Sequence, residues 1–277
     1  MNTSGIKSCL FVLGWSVLSF TVSAAEPARP EVCGDDGQQG ALVICQLNPG
    51  DTLWFDGQKV AVARDGLTVF GVGRDQAEGM LIIASGKGKR LEKQLKFAPR
   101  VYRIEKVNGL PPKTVTMPDA WKARRKTETG RVKAARARVT GEQYWRTGFM
   151  RPAEGRISGV YGSQRILNGK PRSPHYGLDI AADVGTPVSA PAGGTVRLAA
   201  ADFLLEGGIV IIDHGHGVTS TLFHMDSVTV KEGDTVEAGA QIGTIGAKGR
   251  ASGPHVDWRI NWRHVRLDPG LAIGLQE

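Results

Sequence analysis

The sequence predicts a mainly β protein in which two β-rich parts flank one basic helix. Short β-prone runs alternate with Asp-Gly and glycine-rich turns, both between residues 31 and 105 and from Met150 onward. Between these parts lies a proline-free stretch rich in Ala, Arg and Lys, which is typical of a helix. We therefore divide the chain into a signal peptide (1–24), a β-rich module (25–107), a linker with the basic helix (108–149) and an all-β domain (150–277).

The first residues are typical of an export signal. Lys7 precedes an almost uncharged apolar run of 14 residues, Cys9–Val22, which is short for a bilayer span. Small residues at 22–24 favour cleavage after Ala24 or Ala25. An uncleaved anchor is the alternative interpretation. The mature protein is then expected to be periplasmic or secreted, with no transmembrane anchor.

Two cysteines remain once the signal is removed, Cys33 and Cys45. In an oxidising compartment an isolated pair indicates one disulfide, worth roughly 2–3 kcal/mol for a short loop. Two buried thiols are the alternative, and export favours the disulfide over them.

The N-terminal β-rich part resembles a non-catalytic, sandwich-like module. Asp56-Gly57 and Asp65-Gly66 are hairpin turn signals, and the sequence has no histidine before His175. Residue types that carry catalysis do not cluster here. The predicted strands are Leu53–Phe55, Lys59–Ala63, Leu67–Phe70, Met80–Ala84 and Leu91–Phe97.

The linker helix is predicted from Asp119 to about Gln143, with a thin apolar stripe along it. Residues 119–151 hold 10 basic and 3 acidic residues, whereas residues 152–277 hold 11 and 13. Such a basic stripe could dock on an anionic wall polymer or a membrane surface, and export argues against nucleic acid. A solvated helix face, or a helix that covers an acidic cleft, are the alternatives. The stripe consists of Trp121, Val132, Ala135 and Val139.

All six histidines lie in the C-terminal part, and five of them fall in three short patches. In the last patch, Val256, Trp258 and Ile260 alternate with Asp257 and its polar neighbours, so a strand here has one apolar and one polar face. The polar face carries His255 and Asp257 side by side. The predicted strands are Thr195–Ala199, Ile209–Asp213, Val218–Phe223, Ser227–Val230, Gln241–Ile245 and His255–Asn261.

The two earlier patches supply further candidates. In the middle patch an apolar strand turns at His214-Gly215-His216-Gly217, and the returning strand is expected to end at His224. Histidines beside glycine in a turn are usually structural, so His214 and His216 are left out of the site. His175 and Asp179 are four residues apart where a loop enters a strand, and by themselves they are a weak indication.

Six stretches in order make the segment from Arg151 to Pro269 resemble the lysostaphin-type (LytM-like) family of zinc metallopeptidases. They are G-R-I-S-G-V-Y-G-S-Q-R at 155–165, H-Y-G-L-D at 175–179, G-T-P-V-S-A-P-A-G-G-T-V at 185–196, D-H-G-H-G-V-T-S-T-L-F-H-M at 213–225, G-D-T-V-E-A-G-A-Q-I-G at 233–243 and G-R-A-S-G-P-H-V-D-W at 249–258.

The resemblance implies an all-β peptidase domain that binds one Zn²⁺ per chain and cuts peptides of peptidoglycan. Its H-x-x-x-D pair makes His175 and Asp179 candidate metal ligands, and position 257 is the third. His224 and His255 would be the catalytic imidazoles that accept and return protons and stabilise the oxyanion. The family motif ends in H-x-H, whereas this sequence has Asp257 at the last position.

Asp257 leaves three interpretations open. A carboxylate can ligate zinc, so the enzyme can be active, although two carboxylates cancel the charge of the ion and weaken its polarising effect. Alternatively, metal binding is weak or absent and the domain binds cell wall or activates another hydrolase. A third interpretation, a biotinyl-type carrier domain suggested by the glycine pattern after Val230, fails because residues 197–230 contain no lysine.

Overall fold

A computed structural model describes Cys33 and residues 37–85, 88–108 and 119–275 of the chain. The predicted signal peptide (1–24) and most of the proline-rich boundary at 108–118 lie outside the described residues. Strands dominate the rest, which confirms the mainly β fold class. No helix in the described part of the chain is long and apolar enough to cross a bilayer.

The N-terminal part consists of two small antiparallel sheets that pack face to face. Its strands are β1 (Leu42–Gln46), β2 (Thr52–Phe55), β3 (Gln58–Val60), β4 (Leu67–Gly71), β5 (Glu78–Ala84) and β6 (Arg90–Lys96). One sheet has the order β3-β2-β5-β6, and the other pairs β1 with β4. Phe55 of the first sheet stacks on Phe70 of the second at 4.2 Å between ring centres. The predicted Cys33–Cys45 disulfide is present and buried.

After β7 (Ile104–Val107), the predicted basic helix is present as α1 (Asp119–Arg136). It ends earlier than the predicted Gln143, because Thr140 and Gly141 are poor helix formers and the carbonyl of Thr140 accepts a hydrogen bond from the amide of His216. The predicted apolar stripe is only partly used. Val132 and Ala135 pack on Phe203, Ile209 and Ile211, whereas Trp121 and Val139 are exposed.

Ion pairs fix α1 to the C-terminal part. Arg125 lies 2.7 Å from Glu206, and Arg131 lies 2.7 Å from Glu232. The carboxylate of Glu128, near the middle of the helix, accepts a hydrogen bond from the amide of Leu204. Part of the basic surface of the helix is therefore neutralised by acids of residues 202–232 rather than presented to solvent.

The C-terminal part is built around one large antiparallel sheet. Its elements are β8 (Arg156–Gly159), β9 (Gln164–Leu167), β10 (Lys170–Pro171), β11 (Leu178–Ala181), β12 (Pro187–Ser189), β13 (Gly194–Phe203), β14 (Gly207–Gly215), β15 (Val218–Val228), β16 (Thr235–Val236), β17 (Gln241–Ile245), β18 (Val256–Trp262), β19 (Val265–Leu267) and α2 (Pro269–Ala272). The main strand order is β16-β13-β14-β15-β18-β11-β8. The predicted strand at Ser227–Val230 is not separate, because β15 continues to Val228.

Pairing and packing between distant residues join the N-terminal and C-terminal parts. β7 pairs in parallel with β9, so Ile104–Val107 shares a three-stranded sheet with β9 and β10. Phe55 of the N-terminal module contacts Trp262 at 6.4 Å between ring centres. The buried residues of both parts consequently form one continuous apolar core.

Candidate metal and catalytic site

The predicted two-faced strand is β18. Trp258 and Ile260 are buried in the core on one face, and Asp257 and Arg259 lie on the other. Asp257 is only 3% exposed. The polar face is therefore not an open surface, and any charge on it interacts strongly with its neighbours.

Three candidate metal ligands converge where β11 meets β18. Asp179 of β11 pairs in register with Asp257 of β18, and His175 comes from the loop that leads into β11. One ligand atom from each of the three residues lies within 4.8 Å of the others. The sheet register thus brings together three residues that are up to 82 positions apart in the sequence.

The residues present fit a divalent metal ion. His175 Nε2 and Asp179 Oδ1 lie 3.1 Å apart, close to the separation of about 3.3 Å between donor atoms of a tetrahedral zinc site. The geometry between them is not that of a hydrogen bond, and both atoms are buried without a hydrogen-bond partner. Buried polar atoms are normally satisfied, so two adjacent unsatisfied atoms of ligand type fit a cation bound between them.

Two glycines make room for the carboxylates. A Cβ atom on Gly159 would lie 2.3 Å from Asp179 Oδ2, and one on Gly177 would lie 2.1 Å from Asp257 Oδ1. Neither distance is compatible with a real side chain. Any larger residue at these positions would displace a candidate ligand.

Asp257 also has a cationic partner, which sequence reasoning missed. Arg259 donates from Nε to both oxygens of Asp257 at 3.1 Å and from a terminal nitrogen to Oδ2 at 2.6 Å. The guanidinium also lies over the Phe223 ring, 4.7 Å from its centre. The i, i+2 spacing on one strand face was the only sequence signal for this pair.

His224 lies in a β-bulge and not at the end of its strand as predicted. β15 runs on to Val228, and its register against β14 shifts next to His224, which has a positive φ of 63°. A bulge redirects a side chain relative to the regular alternation. Here it brings the ring of His224 within 4.8 Å of the ring of His255, measured between centres.

Both imidazoles are oriented by backbone carbonyls. His224 Nδ1 lies 2.9 Å from the carbonyl oxygen of Lys248, and His255 Nδ1 lies 2.8 Å from that of Gly253. A carbonyl only accepts, so each Nδ1 carries a proton and each Nε2 is the lone-pair nitrogen of the neutral ring. His255 Nε2 is 4.0 Å from Asp179 Oδ1, which places it at the metal-ligand cluster.

Burial and neighbouring charges set the pKa values in the site. Burial lowers the pKa of His224, and the nearby His255 lowers it further, so His224 is neutral at pH 7. Burial would raise the pKa of Asp257, but the Arg259 cation outweighs it and the pKa is lowered. Burial would lower the pKa of His175, yet the carboxylates of Asp179 and Asp257 raise it.

Two further arginines surround Arg259. Arg136 of α1 donates to the hydroxyl of Thr221 at 2.7 Å, and Thr221 is the cross-strand partner of Arg259. Arg266 of β19 lies opposite Asn261 of β18. Burial, followed by repulsion from Arg266 and Arg259, lowers the pKa of Arg136 to about 9. From the sequence, Arg136 was only one of many bases in the linker helix.

His214 and His216 lie apart from this cluster. His214 is fully buried, with its ring nitrogens 2.6 Å from the carbonyl of Gly193 and 2.8 Å from the hydroxyl of Ser220. His216 packs against Trp145 in the turn. Both histidines have structural contacts.

Known proteins share sequence similarity with the part of the chain that holds this site. The model of peptidase family M23 matches residues 173–269. A Haemophilus influenzae protein named an uncharacterized metalloprotease is 34% identical over 154 residues, 53% of this chain and 32% of that protein. The Vibrio cholerae peptidoglycan DD-endopeptidase ShyA is 33% identical over 106 residues, 38% of this chain and 24% of that protein. The matches thus span a quarter to a third of the length of these relatives.

A solved structure covers most of the fold. The crystal structure of a candidate peptidase M23 from Pseudomonas aeruginosa superposes with a TM-score of 0.68 at 26% identity, over 87% of this chain and 96% of that one. The residues that the family model matches include the three metal-ligand candidates and both imidazoles. Residues 173–269 therefore belong to a LytM-like domain of the peptidase M23 type.

Proposed function

We propose that the chain is a zinc-dependent endopeptidase that hydrolyses peptide bonds in peptidoglycan. The observation that carries the proposal is the convergence of three metal-competent side chains with two imidazoles inside the M23 domain. Such a group of residues combines a site for a Lewis acid with groups that transfer protons. The name of the relative ShyA, a peptidoglycan DD-endopeptidase, supports this substrate class.

His175, Asp179 and Asp257 would hold the zinc ion through one nitrogen and two carboxylate oxygens. When bound, zinc supplies a Lewis acid for the scissile carbonyl and lowers the pKa of water at the site. The chain itself contributes the orientation of the ligands. Gly159 and Gly177 leave the space in which the two carboxylates face each other.

His224 and His255 would carry the proton transfers. Because the Nδ1 of each ring is committed to a backbone carbonyl, the Nε2 of each ring is free to take a proton from the attacking water or return one to the leaving amine. The lowered pKa of His224 keeps it neutral, as a general base must be before it acts. Once protonated, either imidazole can donate a hydrogen bond to the developing oxyanion.

We also propose export and a cell-wall location for the protein. The support is the predicted signal at 1–24 together with the disulfide between Cys33 and Cys45, since structural disulfides persist in oxidising compartments. We keep the sequence-based division of the chain, with 25–107 as the non-catalytic module, 108–149 as the linker and 150–277 as the peptidase domain.

The test uses purified mature chain that begins at Ala25. Metal content is measured by mass spectrometry, and muropeptide release from purified sacculi is measured on the same sample with and without chelator. We expect close to one zinc per chain and release that the chelator abolishes.

Single variants assign the roles. Asp257→Ala should bind no zinc and release no muropeptides, whereas His224→Ala should still bind zinc but release no muropeptides. His264→Ala removes an exposed histidine and should change neither. Unchanged release by Asp257→Ala would contradict the ligand assignment.

The Asp257–Arg259 pair favours a second candidate, a catalytically degenerate LytM-like domain that binds cell wall or activates another hydrolase. Arg259 hydrogen-bonds both oxygens of Asp257, and its positive charge opposes a cation at the same carboxylate. This candidate predicts no zinc and no release even after zinc is added, while the protein still binds sacculi in a pull-down assay.

A further inference from the structure

A row of three arginines crosses the sheet face beside the metal-ligand candidates. Arg259 is central, since its cross-strand partner Thr221 receives the hydrogen bond of Arg136 on one side. On the other side, Arg266 lies opposite Asn261, two residues along β18 from Arg259. The three arginines therefore come from α1, β18 and β19, and the central one, Arg259, forms an ion pair with Asp257.

The positive charge of this row is only partly balanced. Arg259 is paired with Asp257, and the nearby Glu206 is paired with Arg125. Among the described residues, neither Arg136 nor Arg266 has a carboxylate within ion-pair distance. Moreover, Arg136 Nε is buried and has no hydrogen-bond partner. Guanidinium groups that lie close together repel one another, and the buried Nε of Arg136 adds a desolvation cost, so an anion that joins them is stabilising.

Arg136 and Arg266, the two arginines of the row without an ion pair among the described residues, lie on the sheet face of the candidate reaction centre. The guanidinium of Arg266 lies over the ring of Tyr176, 4.6 Å from its centre, and Tyr176 follows the ligand candidate His175 directly. Arg136 reaches the same face from the last turn of α1. An anionic group held between them would therefore bind on the sheet face that carries Asp257.

We propose that Arg136 and Arg266, on either side of Arg259, form a subsite that binds a free carboxylate of the substrate peptide. The proposal rests on the proposed function and specifies its substrate as an acidic peptide. Guanidinium groups match carboxylates in planar, two-point hydrogen bonds, which suits a carboxylate better than a spherical or diffuse anion. Stem peptides of cell wall carry free carboxylates, and amidation removes their charge. Helix α1 then has a role in substrate binding, because it supplies Arg136.

Equilibrium binding tests the subsite without catalysis. The full mature chain is kept zinc-free with chelator, so nothing is hydrolysed. Two synthetic stem peptides are compared by isothermal calorimetry, one with free side-chain and α-carboxylates and one with these groups amidated. We expect the carboxylate peptide to bind the wild type at least about tenfold more tightly, since a charge-assisted hydrogen bond contributes that much.

Variants of the two outer arginines test which groups bind the carboxylate. Arg266→Gln and Arg136→Gln should each remove most of the preference for the carboxylate peptide and leave binding of the amidated peptide unchanged. Arg131→Gln is the matched control on α1, since the guanidinium of Arg131 pairs with Glu232, which lies outside the arginine row. This variant should bind both peptides as wild type does. Arg266 is an exposed residue, so its variant tests the subsite even if Arg136→Gln unfolds.

The outcomes separate the two proposals. Equal affinity for the two peptides, or an Arg266→Gln variant that binds like Arg131→Gln, would overturn the subsite. Carboxylate-dependent binding that Arg266→Gln abolishes, in a protein that releases nothing from sacculi, would support the subsite and count against the endopeptidase. A third outcome is that wild type and Arg266→Gln release muropeptides at equal rates from sacculi with free stems and from sacculi with amidated stems. This result would support the endopeptidase and overturn the subsite.

Discussion

Replacing Arg259 by methionine should destabilise the zinc-free protein strongly at pH 7 and much less at pH 4. The substitution keeps an unbranched apolar chain against Phe223 but leaves Asp257, which is 3% exposed, as an unpaired buried carboxylate. Removing one partner of a buried ion pair costs about 3–5 kcal/mol. The side chain of Arg259 is 24% exposed, so we expect the lower limit, about 3 kcal/mol.

The pH dependence follows from the sign of the pKa shift. In the wild type the pKa of Asp257 is lowered by Arg259, so the pair stabilises the fold above the unfolded pKa and the stabilisation is lost as pH falls. Without Arg259, burial raises the pKa of Asp257, and the folded variant then gains stability on protonation. Protonation of Asp257 in the variant reduces the difference between the two proteins as pH falls towards 4, and loss of the wild-type ion pair reduces it further only below the unfolded pKa.

Thermal unfolding followed by circular dichroism provides the assay. For a domain of this size about 3 kcal/mol corresponds to a Tm decrease of about 6–12 °C at pH 7. Arg156→Met, at an exposed arginine of β8, is the control and should shift the Tm little. The double variant Asp257→Asn with Arg259→Met should be more stable than Arg259→Met alone. A loss of stability that is independent of pH, or additive in the double variant, would refute the reasoning.

Two further predictions concern a glycine and the disulfide. Gly159→Ala places a Cβ atom 2.3 Å from Asp179 Oδ2, so zinc affinity measured by calorimetry should fall at least about tenfold, whereas Gly141→Ala, which meets no atom within 4 Å, should bind zinc as wild type does; equal affinities would contradict the ligand role of Asp179. Replacing both Cys33 and Cys45 by serine opens a loop with a sequence separation of 12 and should lower stability by about 2–3 kcal/mol, seen as a Tm decrease that reductant reproduces in the wild type only; an unchanged Tm would contradict it.

Local patterns were enough to predict most elements. Asp56-Gly57 forms the expected hairpin turn, with positive φ at both residues, because few other residue pairs adopt that conformation. The alternation along Val256–Trp262 identified the face that carries Asp257. The helix start at Asp119 followed from the preceding proline.

The parts that escaped prediction depend on contacts between distant residues. Neither Ile104–Val107 nor Gln164–Leu167 was predicted as a strand, and their pairing depends on residues about 60 positions apart. The bulge that redirects His224 arises from the register between β14 and β15. Arg136 reaches Thr221 only because the helix packs on the sheet, and its sequence neighbours are equally basic.

The parallel pairing of β7 with β9 constrains how α1 can move. The chain leaves the three-stranded sheet at Val107 and re-enters it at Gln164, and the parallel register places these two points at opposite ends of the strand pair. The segment that holds α1 is therefore tethered at both ends, because β7 and β9 pair with each other. To expose Phe223 and Ile211, α1 would have to separate from the sheet and break its ion pairs with Glu206 and Glu232 while β7 and β9 stay paired.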